Sequence, residues 1–158
     1  MNDVHIGTSN MSKAYPSLEK PDPFYLSAFA QFVADQFPNS GAALDLAGGI
    51  GRHALWLAKR NWQVTVVDIS EVAIRKLGQK AQQLDLTLDL LTLDAREYQF
   101  KPACFDLIVM FYHLDRDICS RVLLALKPGG FLICKRNLVV PNRESLHPTI
   151  RRRPWQVC

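Results

Sequence analysis

The chain has 158 residues, of which 48% are hydrophobic and 22% are charged, so it is long and apolar enough to bury the core of one domain. Its apolar stretches are far shorter than the roughly 20 residues that span a bilayer, and its polar N-terminus lacks a signal-peptide core, so we expect a cytoplasmic protein without membrane attachment. The formal net charge is +4, but the segment after residue 134 carries +5 and leaves the rest at −1, which disfavours a general nucleic-acid-binding face.

The cysteines show no pattern typical of a metal site or a disulfide framework. Cys104, Cys119, Cys134 and Cys158 form no CxxC pair and have no histidine at ligand spacing. We therefore expect three buried small side chains and a terminal thiol, with no bound metal.

The N-terminal third predicts a lead-in, a helix and a first strand. Residues 1–21 are polar and lack a sustained period, which indicates a flexible lead-in. Asp22 followed by Pro23 is typical of a helix N-cap with proline at the first helical position, and the helical spacing continues to about Phe37. The apolar run Ala42–Leu46 then predicts a buried strand that opens onto a glycine-rich turn.

Strands and helices alternate through the rest of residues 22–135, which we interpret as one core domain. The predicted elements, in order, are a helix at Gly51–Arg60, a strand at Gln63–Val67, a helix capped by Ser70, strands at Thr87–Leu91 and Phe105–Phe111, a helix beginning at Asp115, a stop at Lys127–Gly130 and a strand at Phe131–Lys135. Nearly continuous apolar strands separated by helices predict an α/β, doubly wound, Rossmann-like and mostly parallel sheet of about five strands, with helices on both faces.

The turn after the first strand has the composition of a nucleotide-binding loop. Gly49 and Gly51 permit positive φ and close approach of a ligand, and the following helix presents unpaired N–H groups. Asp68, at the end of the second strand, is a residue type that accepts hydrogen bonds from both hydroxyls of a ribose, although it is also a residue type that caps helices. Because the segment from Gly49 to Ala54 also fits the G-x-G-x-x-G/A pattern, the glycine turn is equally compatible with a nicotinamide or flavin cofactor.

Three further features favour one family. Asp45 precedes the glycines, Asp94 ends the third strand in Leu93-Asp94-Ala95, and the run beginning Phe105-Asp-Leu-Ile-Val is followed by Leu126-Lys-Pro-Gly-Gly-Phe-Leu. With these residues the sequence resembles the class I S-adenosylmethionine-dependent methyltransferases, and within them the small bacterial, tellurite-resistance-like group. The resemblance covers about residues 20–135.

The resemblance implies S-adenosylmethionine as cofactor and a role for each matching residue. It places Asp45 near the methionine part, Asp68 on the ribose, and Ile69 against the adenine, with Asp94 and Ala95 at the adenine amino group. Ala47 stands where the family usually has its first glycine. The full set of cofactor-binding residues predicted in this way is Asp45, Ala47, Gly49, Gly51, Asp68, Ile69, Asp94, Ala95 and Met110.

The end of the fourth strand is where a methyl acceptor is expected to approach. The sequence there, from Met110 to Leu114, lacks the Asn/Asp-Pro-Pro-aromatic pattern of enzymes that methylate base or amide nitrogens, and it lacks a Pro-Cys nucleophile. His113 is the candidate general base and Tyr112 a candidate for orienting the acceptor, while a half-buried histidine and a packing tyrosine are the plainer interpretation. We expect a small-molecule acceptor.

Two other functions are compatible with the same residues. The alternatives are a catalytically impaired nucleoside-binding remnant and a fragment of an NAD-binding oxidoreductase.

Residues 136–158 contain three prolines and the triplet Arg151-Arg152-Arg153, which predicts an irregular basic tail where the family has further sheet strands. We therefore expect a shortened or frame-shifted C-terminal end, with the fifth strand as an exposed edge through which homo-oligomers form.

Overall fold

The computed structural model describes residues 20–113 and 115–135. The predicted lead-in, apart from its last two residues, and the predicted tail lie outside this range. The helices are α1 (Pro23–Ala28, continued by a π-helical turn at Phe29–Val33), α2 (Arg52–Ala58), α3 (Glu71–Gln83) and α4 (Arg116–Ala125). The strands are β1 (Ala42–Leu46), β2 (Gln63–Asp68), β3 (Asp89–Thr92), β4 (Phe105–Phe111) and β5 (Leu126–Lys135).

The described strands form one parallel sheet in the order β3-β2-β1-β4-β5. The chain builds outward from β1 to β3 on one side and then crosses back to place β4 on the other side of β1. The strand order therefore reverses between β1 and β4, and the loops leaving the carboxyl ends of these strands diverge there. Open α/β sheets bind ligands in the crevice at such a reversal.

Both faces of the sheet are covered, as the sequence predicted. Side chains of a strand alternate between faces, and the neighbours Ala43 and Leu44 of β1 accordingly belong to different cores. One core packs against α1, α2 and α3, and includes Tyr25, Phe29 and Leu57. The other packs against α4 and the connection that precedes β4. The α/β, doubly wound, Rossmann-like fold is confirmed.

Several element boundaries differ from the sequence-based ones. The first helix ends in the π-helical turn at Val33 and not near Phe37. The segment Lys127–Gly130, predicted to separate α4 from β5, is part of the strand: Phe105 pairs with Leu126, and the next paired residue of β5 is Phe131. The extra residues form a bulge, in which Gly129 has φ +80°. A bulge of this kind was not visible in a Lys-Pro-Gly-Gly sequence that equally suits a turn.

The described cysteines are less buried than the sequence predicted. Cys104, Cys119 and Cys134 are half-buried, so the expectation of three buried side chains was wrong. No helix within residues 20–113 and 115–135 is long and apolar enough to cross a membrane.

In the sheet as described, β5 is the last strand on its side. Association of two chains through that strand stays a prediction.

Candidate functional site

The turn between β1 and α2 has an unusual backbone. Ala47, Gly49 and Gly51 all have positive φ, at 54°, 56° and 73°. The N–H of Ala47 donates to the carbonyl of Val67 at 2.7 Å, which holds the start of the turn against the end of β2. A left-handed conformation costs a residue with a Cβ roughly 1 to 2 kcal/mol, so glycine would be less strained than alanine at position 47.

Of the three glycines in the turn, Gly49 and Gly51 differ in what a side chain would meet. A Cβ on Gly51 would clash with a methyl carbon of the buried Leu77, so this glycine lets α3 pack on the turn. A Cβ on Gly49 would meet nothing within 4 Å. The space beside Gly49 is therefore open toward the exterior of the protein, where a ligand can approach the backbone.

Asp68 is held against the same turn. One carboxylate oxygen accepts the N–H of Gly49 at 2.8 Å, and the other accepts the N–H of Ser70, also at 2.8 Å. The N-cap of α3 is Ser70, whose hydroxyl accepts the N–H of Ala73. The capping role considered for Asp68 thus belongs to its neighbour, and the Asp68 carboxylate is fixed at the mouth of the glycine turn, where its remaining lone pairs suit hydroxyl donors.

A pocket opens beside Asp68 at the carboxyl ends of the strands. It brings together six residues that the sequence analysis singled out and three that it missed. The six are Ala47, Asp68, Ile69, Asp94, Ala95 and His113, and the other three are Val67, Leu93 and Arg96. Each missed residue is a direct chain neighbour of a predicted one, so an extension of each motif by one residue would have found it. Ile69 is 72% exposed, which leaves an apolar surface for a ligand to cover.

The other predicted site residues do not line this pocket: they are Gly49 and Gly51 of the adjoining turn, and Met110, Asp45 and Tyr112. Met110 is 1% exposed and packs in the core against α4, because the alternation along β4 turns its side chain inward beside its strand partner Leu46. Asp45 is equally buried, on the opposite side of the sheet. The hydroxyl of Tyr112 donates to Asp22 at 3.0 Å and so is directed to α1. The roles assigned to these three residues stay predictions.

Asp45 is a buried carboxyl group at the base of the glycine turn. Burial raises its pKa to about 7, with a smaller contribution from Asp68, while a hydrogen bond from the Ala54 backbone and the charge of Arg52 act in the opposite direction. Its Oδ2 atom has no hydrogen-bond partner among the described residues. A buried oxygen without a donor is costly, so a cationic or hydrogen-bonding ligand group reaching it would be strongly favoured.

The pKa of His53 is shifted in the direction opposite to that of Asp45. Burial lowers the pKa of this imidazole to about 4, and the charge of Arg52 adds to the effect while Asp22 opposes it. The ring packs between Tyr25 and Phe111, with ring centroids 4.6 and 4.4 Å away. His53 is therefore neutral in the folded protein at neutral pH, and its Nε2 accepts the backbone N–H of Asp22 at 3.3 Å.

These two groups predict an unusual pH dependence of folding in the ligand-free protein. A carboxyl with a raised pKa contributes stability below pH 4 that is lost as the pH rises to about 7, whereas a histidine with a lowered pKa contributes stability above pH 6.5 that is lost as the pH falls to about 4. The two slopes oppose each other between pH 4 and 6.5. We expect Asp45→Asn to remove one of them, so that the urea midpoint of the variant rises more steeply with pH than that of the wild type. Equal slopes for the two proteins would contradict the burial of an ionisable Asp45.

Charged side chains stabilise the segment after β3, which forms one wall of the pocket. The Asp94 carboxylate accepts the N–H of Arg96 at 2.9 Å, so Asp94 caps the turn after β3 and also lines the pocket. The Arg96 guanidinium pairs with Asp115, the N-cap of α4, at 2.9 Å, and the Arg96 carbonyl accepts a hydrogen bond from Arg121. These contacts connect the segment after β3 to the beginning of α4.

His113 enters the pocket from the segment after β4. Its Nε2 atom is buried and has no hydrogen-bond partner among the described residues. The preceding residue, Tyr112, has φ +63°, which bends the chain immediately after the strand. The structure thus places the candidate base beside the predicted nucleoside-binding residues and separates it from its predicted companion Tyr112.

A sequence model of the family described as "Methyltransferase domain" matches residues 43–130, which is more than half of the chain. The chain belongs to this methyltransferase domain family. The match begins in β1 and ends in the β5 bulge, so it contains the glycine turn, Asp68, the pocket and the segment carrying His113.

Individual relatives agree with this family. The Bacillus subtilis (strain 168) protein named "Putative methyltransferase YqeM" is 27% identical over 131 residues, which are 77% of this chain and 52% of the relative. The chain therefore spans about half the length of that curated relative. A structure of Haemonchus contortus Phospholethanolamine N-methyltransferase 2, solved with phosphomonomethylethanolamine and S-adenosylhomocysteine, is 25% identical with a TM-score of 0.64, over 80% of this chain and 32% of that methyltransferase chain. An S-adenosylmethionine-dependent methyltransferase from Clostridium acetobutylicum ATCC 824 shares the fold at 22% identity and a TM-score of 0.62, over 82% of this chain and 57% of that structure.

Proposed function

We propose that this methyltransferase domain binds S-adenosylmethionine in the pocket beside Asp68 and transfers its methyl group to a small-molecule acceptor. The observation that carries the proposal is the joint placement of Asp68 and Gly49: a fixed carboxylate stands beside a turn whose outer side is open. Membership of the family supports methyl transfer over hydride transfer, so the NAD-binding alternative is not favoured. The placement within the small tellurite-resistance-like group stays a prediction.

The residues present fit the cofactor. The Asp68 carboxylate suits the two ribose hydroxyls, and the apolar surfaces of Ile69 and Ala95 suit the faces of an adenine, with Asp94 available to an amino group. The unpartnered buried oxygen of Asp45 suits the ammonium group of the methionine part, because a nearby positive charge favours the ionised carboxylate.

The chemistry asks little of the protein beyond positioning. The bound sulfonium supplies an electrophilic methyl group. The pocket walls then have to align the acceptor and exclude water, and orientation of this kind is worth on the order of 7 to 11 kcal/mol in well-ordered reactions. His113 is our candidate for accepting a proton from an acceptor hydroxyl or amine, and general-base help of this kind typically adds about 10² to 10⁴-fold in rate.

The acceptor is a small molecule in this proposal. The sequence after β4 lacks the Asn/Asp-Pro-Pro-aromatic pattern, which argues against methylation of base or amide nitrogens. The charge balance of −1 over the first 134 residues argues against a nucleic-acid substrate, since such proteins need a positive face to neutralise phosphates.

A thermal-shift comparison tests the cofactor assignment. S-adenosylhomocysteine and S-adenosylmethionine should each raise the midpoint of unfolding, while NAD at the same concentration should not, because only a ligand that prefers the native state stabilises it. A shift with NAD alone would overturn the proposal. To separate an active enzyme from a binding remnant, S-adenosylhomocysteine formation is measured with a pool of small metabolites added. Cofactor binding without any turnover would favour the remnant.

A further inference from the structure

A buried carboxylate outside the pocket connects the elements that surround it. Asp22 is 6% exposed and is the N-cap of α1, where its side chain accepts the N–H of Phe24. The same carboxylate accepts the hydroxyl of Tyr112 at 3.0 Å and the ammonium of Lys135 at 2.9 and 3.1 Å. Its backbone N–H donates to His53 on α2. We call Asp22, Tyr112 and Lys135 the Asp22 cluster.

The Asp22 cluster lies at the carboxyl end of the sheet, on the same edge as the pocket. Tyr112 directly follows β4, and Lys135 is the last residue of β5. The Tyr112 N–H also donates to the Lys135 carbonyl at 2.7 Å. Although burial alone would raise the pKa of Asp22, the hydrogen bonds from Lys135, Tyr112 and the Phe24 backbone lower it, so the carboxylate is ionised at neutral pH. It therefore joins α1 to the ends of two strands by charged hydrogen bonds, which are the strong kind.

The conformation of Tyr112 gives these contacts a consequence for the pocket. A left-handed backbone is unfavourable for a tyrosine and persists only where surrounding contacts fix it. In Tyr112 both the N–H and the hydroxyl are fixed, by Lys135 and Asp22 respectively. The next residue is His113, which lines the pocket with its Nε2 atom buried. The direction in which His113 leaves the strand thus depends on how Tyr112 is held.

From this geometry we infer that Asp22 is a positioning residue for the methyltransferase site: by holding Tyr112, it sets the place of His113 in the pocket and couples the docking of α1 to cofactor binding. The inference rests on the proposed function, since it concerns the same pocket. It assigns no contact between Asp22 and the cofactor or the acceptor.

The chain contains a matched control for this cluster. At the opposite end of the sheet, the Asp106 carboxylate accepts the Ala42 N–H and the Lys127 ammonium, each at 2.8 Å. The two carboxylates are comparably buried, since the side chain of Asp106 is 14% exposed and the side chain of Asp22 is 7% exposed, but the Asp106 pair lies at the amino ends of the strands. Loss of either pair should reduce stability, and only loss of the Asp22 pair should alter the pocket.

The test compares S-adenosylhomocysteine affinity by calorimetry and the imidazole NMR signals of His113, assigned with His113→Gln. We expect Asp22→Ala and Tyr112→Phe each to weaken binding by about 2- to 30-fold, the range seen for residues that act through neighbours. Both variants should shift the His113 signals. The double variant should bind S-adenosylhomocysteine only slightly more weakly than Asp22→Ala alone, because both substitutions break the same hydrogen bond, between Tyr112 and Asp22. Asp106→Ala should leave the affinity and the His113 signals unchanged.

The outcomes separate this inference from the function on which it rests. Wild-type protein that does not bind S-adenosylhomocysteine would overturn the proposed function. Wild-type binding with unchanged affinity and unchanged His113 signals in the variants would overturn the positioning role alone, as would equal losses in Asp106→Ala. If Asp22→Ala does not fold, Asp22→Asn and Tyr112→Phe provide the same comparison, since each retains the Phe24 cap.

Discussion

Replacement of Asp68 by alanine should weaken S-adenosylhomocysteine binding by roughly one to two powers of ten. A carboxylate that accepts hydrogen bonds from buried ligand hydroxyls is worth about 1.5 to 3 kcal/mol, and its removal leaves those hydroxyls unpaired. The substitution also deprives the Gly49 N–H of its acceptor and so loosens the turn on which the ligand rests. Titration calorimetry measures the loss directly.

An aspartate on the adjacent strand, at the opposite end of the sheet, provides the control for Asp68. Asp89 begins β3 at the amino end of the sheet, where its carboxylate lies 3.3 Å from the Thr65 hydroxyl. Asp89→Ala should leave the affinity unchanged within experimental error. If Asp68→Ala bound S-adenosylhomocysteine as tightly as the wild type, the ribose would not lie at Asp68 and the assignment of the pocket would be wrong.

Replacement of Gly49 by valine should abolish cofactor binding and leave the fold in place. The valine side chain would enter the open space beside the turn, where its Cβ would have no protein atom outside the turn within 4 Å, so it would displace the ligand without displacing a neighbour. Its cost to the protein is the left-handed backbone, at φ +56°, which is roughly 1 to 2 kcal/mol and more unfavourable for a β-branched residue. Circular dichroism should show native secondary structure, and calorimetry should show no binding.

Gly129 separates backbone strain from loss of the ligand space. It too has positive φ, at +80°, and a Cβ there would also meet nothing within 4 Å, but it lies in the β5 bulge at the amino end of the sheet. Gly129→Val should lose a similar amount of stability and still bind S-adenosylhomocysteine. Binding by a folded Gly49→Val variant would show that the cofactor does not approach this turn.

Short-range patterns were sufficient for the fold and for much of the pocket. The alternation of apolar strands with helices predicted the parallel doubly wound sheet, because the spacing of apolar residues within each element shows which of its side chains are buried. The ends of β1, β2 and β3 supplied Ala47, Asp68 and Asp94 for the same reason: parallel strands have their carboxyl ends at one edge, so residues that follow successive strands lie close together.

The boundaries of the helices and strands, and the directions of their side chains, were harder to predict from the sequence. The sequence Lys127–Gly130 suits a turn and a strand bulge equally, and only pairing with β4 decided between them. Met110 is near the end of β4, which is why the sequence predicts it in the site, but the sheet's alternation turns its side chain into the core. Both outcomes depend on which neighbours the strand acquires, and residue type alone does not specify those neighbours.

The sequence by itself determined the fold class, the glycine turn and the acids at the strand ends, since these follow from local spacing and from the geometry common to all parallel sheets. Only the tertiary structure decided how Asp22, Tyr112 and Lys135 meet, because these residues come from three elements and Asp22 and Lys135 are 113 positions apart. Asp22 was predicted correctly as a helix cap, which is a local property. Its contacts with the ends of β4 and β5 arise from the packing of α1 across the sheet, and no periodicity within a segment encodes the partner of a buried charge.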